Sequence, residues 1–406
     1  MTPSGREAAG QRIARARRRR GLSQAVLAGL VGRSESWLSQ VERGRRGVDS
    51  YSVLVRLAEV LRVDIEEFTG SGDHDETGRR AYPAASLIEQ AMMGYGTPGP
   101  LDDGDGPGRE DSLDFLRAQA RSAYQAYQAT RHDAAGRILP GLIRGVETAA
   151  RTAGSPSPAA CAVRARVYDT TAALLSRVGE PFLAWAVADR ALFAAEQSSD
   201  PLLAAASAWR LSYMITGRKH PHEALDLAMA SAATLERRMR ASSPERLSVY
   251  GALHLAAATA AAASFDRATA QSLLAIARGI ADRTGEANHM GTAFGPVNVA
   301  IHAISASLKL GDPRTATETG EALDLAAMPA GLVGRRTQVN LELARAYAMT
   351  RKDAAAVNLL LAAERLSPQL VRYDPATREV LAGLLRREHR SSTPELRPLA
   401  RRAGVI

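Results

Sequence analysis

The sequence has few features of a secreted, metal-binding or membrane protein. Cys161 is the only cysteine among 406 residues, which excludes a disulfide framework and a cysteine-rich metal site and favours a reducing compartment. No apolar segment of signal-peptide type begins the chain, and the longest apolar run, residues 255–263, is far shorter than the roughly 20 residues of a membrane span. We therefore expect a soluble cytoplasmic protein without membrane contact or cofactor.

Lysine is also scarce, since three lysines accompany 49 arginines, a bias that fits a GC-rich genome such as that of an actinobacterium. The formal net charge is +9, and residues 1–62 carry 13 arginines against five acids, which accounts for nearly all of the excess. A basic excess at one end of a chain favours a polyanionic partner. The N-terminal region is therefore predicted to contact nucleic acid.

Strand patterns are missing too, and helical apolar spacing predicts an all-α fold. Short helices are predicted over residues 6–20, 23–31, 34–43, 50–61 and 64–68, with glycines between them. Two stretches rich in Gly, Pro, Asp and Ser, 70–80 and 94–110, flank one short helix near residues 86–93 and indicate a linker. The predicted domains are residues 1–70, a linker over 71–112, a helical domain over 113–390 and a frayed basic tail over 391–406.

Turn markers recur through the predicted helical domain. They lie near residues 131, 179, 217, 264, 311 and 351, and a second set of helix breaks falls between them. Each period then holds two antiparallel helices, the pattern of an α-solenoid whose pairs bury their faces by stacking. The period is longer than the 34 residues of the tetratricopeptide repeat, so a tetratricopeptide-like solenoid of about six helix pairs is predicted.

The first 61 residues carry the pattern of a known DNA-binding family. The segments that match are Arg20-Gly21-Leu22-Ser23-Gln24, Leu27-Ala28, Val31-Gly32, Ser34, Ser36, Leu38-Ser39, Val41-Glu42-Arg43-Gly44, Leu54, Leu57-Ala58 and Leu61. This pattern resembles the phage-repressor or Xre-like helix-turn-helix family. At about 100° per residue, Trp37, Leu38 and Val41 share one face of the third helix, and the polar residues lie opposite, free to enter a major groove.

The resemblance implies roles for individual residues of this domain. Base reading falls to the third helix, at Glu35, Ser36, Ser39 and Gln40, whose side chains can pair with base edges. Phosphate contacts fall to Gln24, Arg43, Arg45 and Arg46. Two alternatives stay open, since Glu35 can instead favour the helix N-terminus through the dipole, and the basic run at Arg15 and residues 17–20 is either a solvated face or a further phosphate contact.

The order of domains resembles the peptide-responsive regulators of Gram-positive bacteria and a set of actinobacterial regulators, in which the first helix of each pair lines a concave groove. Asn298 and Asn340 lie 14 and 13 residues before the aspartates of their turns, so they share a register that suits gripping a peptide backbone. Alternatively, such inner polar residues satisfy neighbouring backbone groups. The candidate effector-binding residues are Arg210, Tyr213, Tyr250, His254, Phe294, Asn298, His302 and Asn340.

No catalytic motif is recognisable, so an enzyme is not expected. His254 and His302 lack a third ligand at suitable spacing, so no metal site is expected. The leading hypothesis is a homodimeric, sequence-specific transcription regulator that binds an inverted-repeat operator and responds to a peptide or small effector. The alternatives are a DNA-bound adaptor whose solenoid recruits a protein partner without a small ligand, and an antitoxin-like partner of a neighbouring gene product.

Overall fold

The computed structural model describes residues 3–46, 48, 51–61, 82–94, 112–152, 157–238, 243–389 and 391–406. The chain divides into two units, residues 1–81 and 82–406. The helix predicted over 64–68, the whole linker stretch 70–80 and all of the stretch 94–110 except Gly94 lie outside the described residues. Every regular element in the described residues is a helix, which confirms the all-α prediction.

The N-terminal unit is built on a small apolar core between four helices. They are α1 (Pro3–Arg19), α2 (Gln24–Leu30), α3 (Glu35–Glu42) and α4 (Tyr51–Leu61). Ile13, Leu27, Leu38 and Leu57, one from each helix, are fully buried. A side chain at Gly10 would overlap the carbonyl oxygens at the end of α3, so the absence of a Cβ there allows α1 and α3 to pack closely.

Most of the second unit consists of antiparallel helix pairs. The pairs are α6 (Leu113–Gln128) with α7 (His132–Thr152), α8 (Pro158–Arg177) with α9 (Pro181–Gln197), α10 (Pro201–Gly217) with α11 (Pro221–Arg238), α12 (Pro244–Ala263) with α13 (Arg267–Thr284), α14 (Pro296–Lys309) with α15 (Pro313–Glu321), and α16 (Val333–Met349) with α17 (Asp353–Leu366). The described residues therefore contain the predicted six pairs.

The turn inside every pair has the same backbone geometry. One residue takes a positive φ, and the amide of the next residue donates to the carbonyl five positions earlier, which is the Schellman closure of a helix C-terminus. The left-handed residues are Thr130, Gly179, Lys219, Phe265, Gly311 and Arg351. They coincide with the turn markers predicted from the sequence, so a local rule sets the repeat.

The first helices of the pairs stack in a row, because α6 contacts α8, and the contacts continue through α10, α12 and α14 to α16. Small side chains make this close approach possible. In α12 every alanine from Ala256 to Ala262 is buried, and Thr259 is half-buried among them. The second helices make fewer contacts with one another. The row therefore curves with the first helices on its inner, concave side.

The curvature returns the last pairs to the first. Arg177 of α8 donates from Nη2 to Oε1 of Gln338 on α16 at 3.0 Å. Gln369 exchanges two hydrogen bonds with Asp133 at the start of α7, accepting from its amide at 3.0 Å and donating to its carboxylate at 2.8 Å. Within this unit the solenoid therefore closes on itself, which the repeat pattern alone does not predict.

Two terminal segments belong to the packed unit. Helix α5 (Pro83–Met93) contains the short helix predicted near residues 86–93, and it packs on α7 through Tyr82, whose hydroxyl donates to the His132 carbonyl. The prediction of a frayed tail after residue 390 is wrong. Two short helices, α18 (Pro368–Tyr373) and α19 (Pro375–Leu385), precede the last helix, α20 (Leu396–Arg402). Helix α20 packs on α19, and its residues Leu396 and Leu399 are buried.

We expect Gly251→Ala to destabilise the protein and Gly279→Ala to leave it unchanged or slightly stabilised. Both glycines lie inside helices, where alanine gains about 0.5–1 kcal/mol. A Cβ at position 251 would overlap the fully buried ring of Phe294, whereas nothing lies within 4 Å of a Cβ at position 279. Overpacking costs about 1–3 kcal/mol. Thermal unfolding of the two variants checks this, and equal melting temperatures would contradict it.

Candidate functional site

Helix α3 of the N-terminal unit presents a free polar face. The Ser34 hydroxyl caps the helix by accepting from the Trp37 amide at 3.2 Å, which satisfies a backbone donor at its N-terminus. Leu38 and Val41 are buried on the opposite side. Of the predicted base-reading residues, Glu35, Ser36 and Gln40 are exposed, and Ser39 is half-buried.

A buried carboxylate holds this helix against its neighbours. Glu42, at the end of α3, accepts from Arg17 Nε of α1 at 2.6 Å and from Nη2 at 3.0 Å. It also accepts from Gln24 Nε2 of α2 at 2.6 Å. The same arginine donates from Nη1 to the Leu22 carbonyl at 2.7 Å, and the carboxylate raises its pKa above the ordinary value. One acid therefore ties three helices together.

This cluster changes the expectation for two side chains. Arg17 belongs to the basic run considered for phosphate contacts, yet its guanidinium is committed to the ion pair with Glu42. Gln24 is predicted to grip a phosphate, and the structure places its amide nitrogen on the same carboxylate. Arg15, Arg18, Arg19 and Arg20 are exposed, so the outward charge of this basic run lies on those residues.

The arginines after α3 lie on the surface. Arg45 and Arg46 are exposed, and their amides donate to the Gln40 carbonyl at 3.0 and 3.2 Å, which fixes the loop to the helix. Arg43 folds back along α3 and donates from Nε to the Ser39 carbonyl at 3.0 Å and from Nη2 to the Ser39 hydroxyl at 2.6 Å. Exposed cationic groups therefore adjoin the polar face of α3.

In the second unit, the eight predicted effector residues do not form one site. Phe294 is fully buried in the apolar core between the pairs. His254 is buried, its Nδ1–H donates to the Tyr250 carbonyl at 2.8 Å, and the two rings lie 4.6 Å apart. Burial lowers the pKa of His254. This Tyr–His pair is therefore an internal contact of α12.

The two asparagines that share a predicted register have different environments. Asn298 is 1% exposed, and its amide nitrogen lies 3.5 Å from the Thr292 carbonyl, to which it donates. Asn340 is half-buried on α16. A bound peptide could not reach Asn298 without movement of the residues that cover it. For Asn298 the structure favours the alternative role, satisfying a neighbouring backbone group.

Tyr213 and His302 lie together on the inner side of the solenoid. Their rings stack at 5.8 Å, the Tyr213 hydroxyl lies 3.4 Å from His302 Nε2, and the Thr259 hydroxyl lies 3.4 Å from Nδ1. Burial lowers the pKa of His302 to about 3, and the positive charges of Arg335 and Arg177 act in the same direction. Burial raises the pKa of Tyr213 to about 12. Both side chains are neutral near pH 7.

Arg210, the remaining predicted effector residue, lines a cavity of about 510 Å³. Its Nε lies 3.5 Å from Asp169 Oδ1, and its guanidinium stacks 4.8 Å from the centre of the Trp209 ring. Asp169 also accepts from the Ser207 hydroxyl at 2.8 Å. The walls come from α6, α8, α10 and the turn at residues 288–291, and the polar lining residues are Arg117, Arg121, Tyr124, Arg166, Asp169, Thr170, Arg210 and Asn288.

Sequence reasoning missed most of this cavity, although a signal was present. Arg121 lies nine residues before the left-handed turn of its pair, Asp169 ten and Arg210 nine. Comparing the pairs by turn position, as was done for Asn298 and Asn340, would have grouped these three. The contribution of the turn at residues 288–291 has no comparable signal in the sequence, because it depends on how the chain bends between α13 and α14.

Two further classes of feature are absent from the described part of the chain. No group of three or more His, Cys, Asp or Glu side chains there could hold a metal ion. No helix there combines the length and the apolarity that crossing a bilayer requires.

Comparison with known proteins identifies the N-terminal unit. Residues 8–69 match a helix-turn-helix domain family. This chain carries a helix-turn-helix domain. A search of curated protein sequences found no match. Among solved structures, the chain is similar to PlcR of Bacillus thuringiensis, crystallised with the peptide PapR7 and DNA, at 13% identity over 89% of this chain and 99% of that one, with a TM-score of 0.32.

We expect the protein to lose stability as the pH falls from about 7 to about 5. An unfolded histidine has a pKa near 6.5, whereas that of His302 is about 3 and that of His132 about 4. Between these values the unfolded chain binds more protons than the folded one, so the free energy of unfolding decreases with decreasing pH. Each histidine contributes on the order of 2 kcal/mol to this change over that interval.

The measurement is the melting temperature at both pH values for the wild type, His302→Gln and His220→Gln. Glutamine at position 302 does not titrate and keeps polar atoms near Tyr213 and Thr259, so the decrease should be smaller in that variant. His220 is exposed, and its replacement should change nothing. An identical decrease in all three proteins would refute a buried neutral His302.

Proposed function

We propose that this protein is a DNA-binding transcription regulator. The observation that carries the proposal is the free polar face of α3, which is capped by Ser34, held from behind by the buried carboxylate of Glu42 and followed by the exposed cationic loop at Arg45 and Arg46. An α-helix fits the major groove of B-DNA, where each base pair presents a distinct hydrogen-bonding pattern. The adjoining arginines would hold the phosphate backbone and set the register.

The proposal assigns sequence reading to Glu35, Ser36, Ser39 and Gln40. Phosphate contacts are assigned to Gln24, Arg43, Arg45 and Arg46. For Gln24 the contact would use the backbone amide or require exchange with Glu42, since Nε2 already donates to that carboxylate. Arg43 would exchange its bonds to Ser39 for a phosphate, which would release the Ser39 hydroxyl toward the bases.

We further propose a cytoplasmic homodimer of the Xre type, in an actinobacterium, that recognises an inverted repeat. Two recognition helices related by a twofold axis read half-sites about one helical turn apart. The arginine bias and the repressor-like sequence pattern support this assignment. The proposed domains are residues 1–70 for DNA binding and 113–390 for sensing, and the packed helix α5 and residues 391–406 extend the sensing domain beyond the predicted bounds.

The solenoid is proposed to bind an effector and not to act only as an adaptor for a protein partner. A partner-recruiting groove would be broad and open, whereas the cavity beside Arg210 has a volume within the range of small-molecule sites. A bound effector changes DNA binding only if it binds two arrangements of the protein unequally. The proposed role is not enzymatic, because binding DNA and an effector requires no chemical step.

Selection of bound sites from genomic DNA fragments, with the full-length protein at a defined salt concentration, tests the proposal. We expect enrichment of one sequence with twofold symmetry, whose half-site spacing measures the separation of the two recognition helices. Salt-sensitive binding without an enriched sequence would remove the regulator proposal, since phosphate contacts alone give that result.

Gln40→Ala and Arg45→Ala should have different effects on the selected site. Gln40→Ala should alter the preferred base at one position and cost about 1–3 kcal/mol on the selected site alone. Arg45→Ala should weaken specific and random DNA alike and reduce the slope of log affinity against log salt by about one unit. Titration of both DNAs at several salt concentrations measures this. If both variants lose the same affinity on both DNAs, the division into base-reading and phosphate-binding residues is wrong.

A further inference from the structure

The cavity beside Arg210 has a strong excess of positive charge. Four arginines line it, at positions 117, 121, 166 and 210, against one acid, Asp169. The side chains of Arg121 and Arg166 are exposed and make no hydrogen bond within the described residues, although the charge of Arg166 acts on Asp169. Arg117 pairs with Asp114, but that carboxylate is 91% exposed, so the pair contributes little. The lining is therefore incompletely neutralised by the protein.

The charged groups differ in depth. Arg117, Arg121 and Arg166 lie at the solvent side, whereas the side chains of Arg210 and Asp169 are only 13% and 12% exposed. Nε of Arg210 lies 3.5 Å from Asp169 Oδ1, and its guanidinium lies 4.8 Å from the centre of the Trp209 ring, but neither Nε nor Oδ1 has a hydrogen-bond partner in the described residues. A buried donor that lacks a partner gains free energy when an anion accepts from it.

Apolar side chains make up much of the remaining lining of the cavity. Ala120, Ala162, Val163, Leu203 and Ala206 contribute to it. A volume of about 510 Å³ and a mostly apolar lining with a few convergent polar groups are typical of sites for small organic ligands. An inorganic anion would leave this wall in contact with water.

The remaining wall is a strained turn. Met290 and Ala293 have φ of 51°, a conformation that costs a residue other than glycine free energy. The turn is held by Asn288, which donates from Nδ2 to the Tyr124 hydroxyl at 3.2 Å and accepts from the Ala293 amide at 3.0 Å. Backbone strain of this kind concentrates at binding sites.

We infer that this cavity binds a small organic anion with an apolar body, whose carboxylate or phosphate contacts the arginines and whose body contacts the alanine-rich wall. This assigns the chemical class of the effector and therefore rests on the proposed function. It also replaces the site predicted from the sequence, since Arg210 is the one member of the predicted set that lines this cavity.

The test uses full-length protein and the fluorescent probe anilinonaphthalenesulfonate, which joins an anion to an apolar body. Displacement is compared among octanoate, octyl phosphate, octanol and octylammonium, which share one chain length and differ in charge. We expect octanoate, octyl phosphate or both to displace the probe at much lower concentration than octanol and octylammonium. The relative strength of the two anions then distinguishes a carboxylate ligand from a phosphate ligand.

Variants tie this binding to the cavity. The double variant Arg121→Gln with Arg166→Gln should lower the affinity for the probe by about fivefold, as expected for the loss of two partly exposed charge contacts. The matched control, Arg144→Gln with Arg278→Gln, removes the same charge from exposed positions on α7 and α13 that do not line the cavity. Ala159→Trp fills the exposed side of the cavity and should abolish the displaceable signal.

Displacement by octanol at concentrations as low as those of both anions, or equal probe affinity in the two double variants, would overturn the inference. Its failure is separable from that of the proposed function. If a symmetric operator is enriched but probe binding does not depend on charge, only the inferred anion site is rejected. Charge-selective, variant-sensitive probe binding without an enriched DNA sequence removes only the regulator proposal.

Discussion

The second unit depends on one constraint, the close stacking of alanine-rich first helices at a nearly constant register. The same left-handed turn closes every pair, so each pair adds a similar rotation to the row. Small side chains let neighbouring first helices approach more closely than the second helices do. Tight curvature follows, and it brings α16 and α18 back to α8 and α7.

Closure creates an interior in which polar groups lose much of their hydration. Arg177 and Arg335 share the side-chain oxygen of Gln338 there, at 3.0 and 3.1 Å. Burial of His302 lowers its pKa, the charges of the two arginines act in the same direction, and the ring is therefore neutral. Unfavourable burial of charge is tolerated only where partners are fixed. The carboxylates of Asp374 and Glu342 partly offset the charge of Arg177 there.

The N-terminal unit depends on a different constraint and is much smaller. A short helix must present a polar face to a partner while staying rigidly attached to the domain. Leu38 and Val41 supply apolar attachment, and the carboxylate of Glu42 connects α3 to both α1 and α2 through Arg17 and Gln24. A buried and fully paired acid fixes the orientation of α3, so that its exposed side chains keep a defined geometry.

The sequence by itself determined the elements that depend on local chemistry. Turn residues, N-caps and apolar spacing located the six helix pairs and the polar face of α3, because hydrogen bonds within a few residues fix helix ends and faces. The predicted effector residues do not lie together in the structure. The apolar periodicity of one helix shows which of its residues share a face, but it does not show which of those residues the next helix pair buries. Phe294 and Asn298 became core residues in this way. The cavity beside Arg210 and the packing of α20 were decided only by the tertiary structure, because the first needs residues 288–291 to lie against α6 and the second needs apolar surfaces of α17 and α19 to be left open for the last helix.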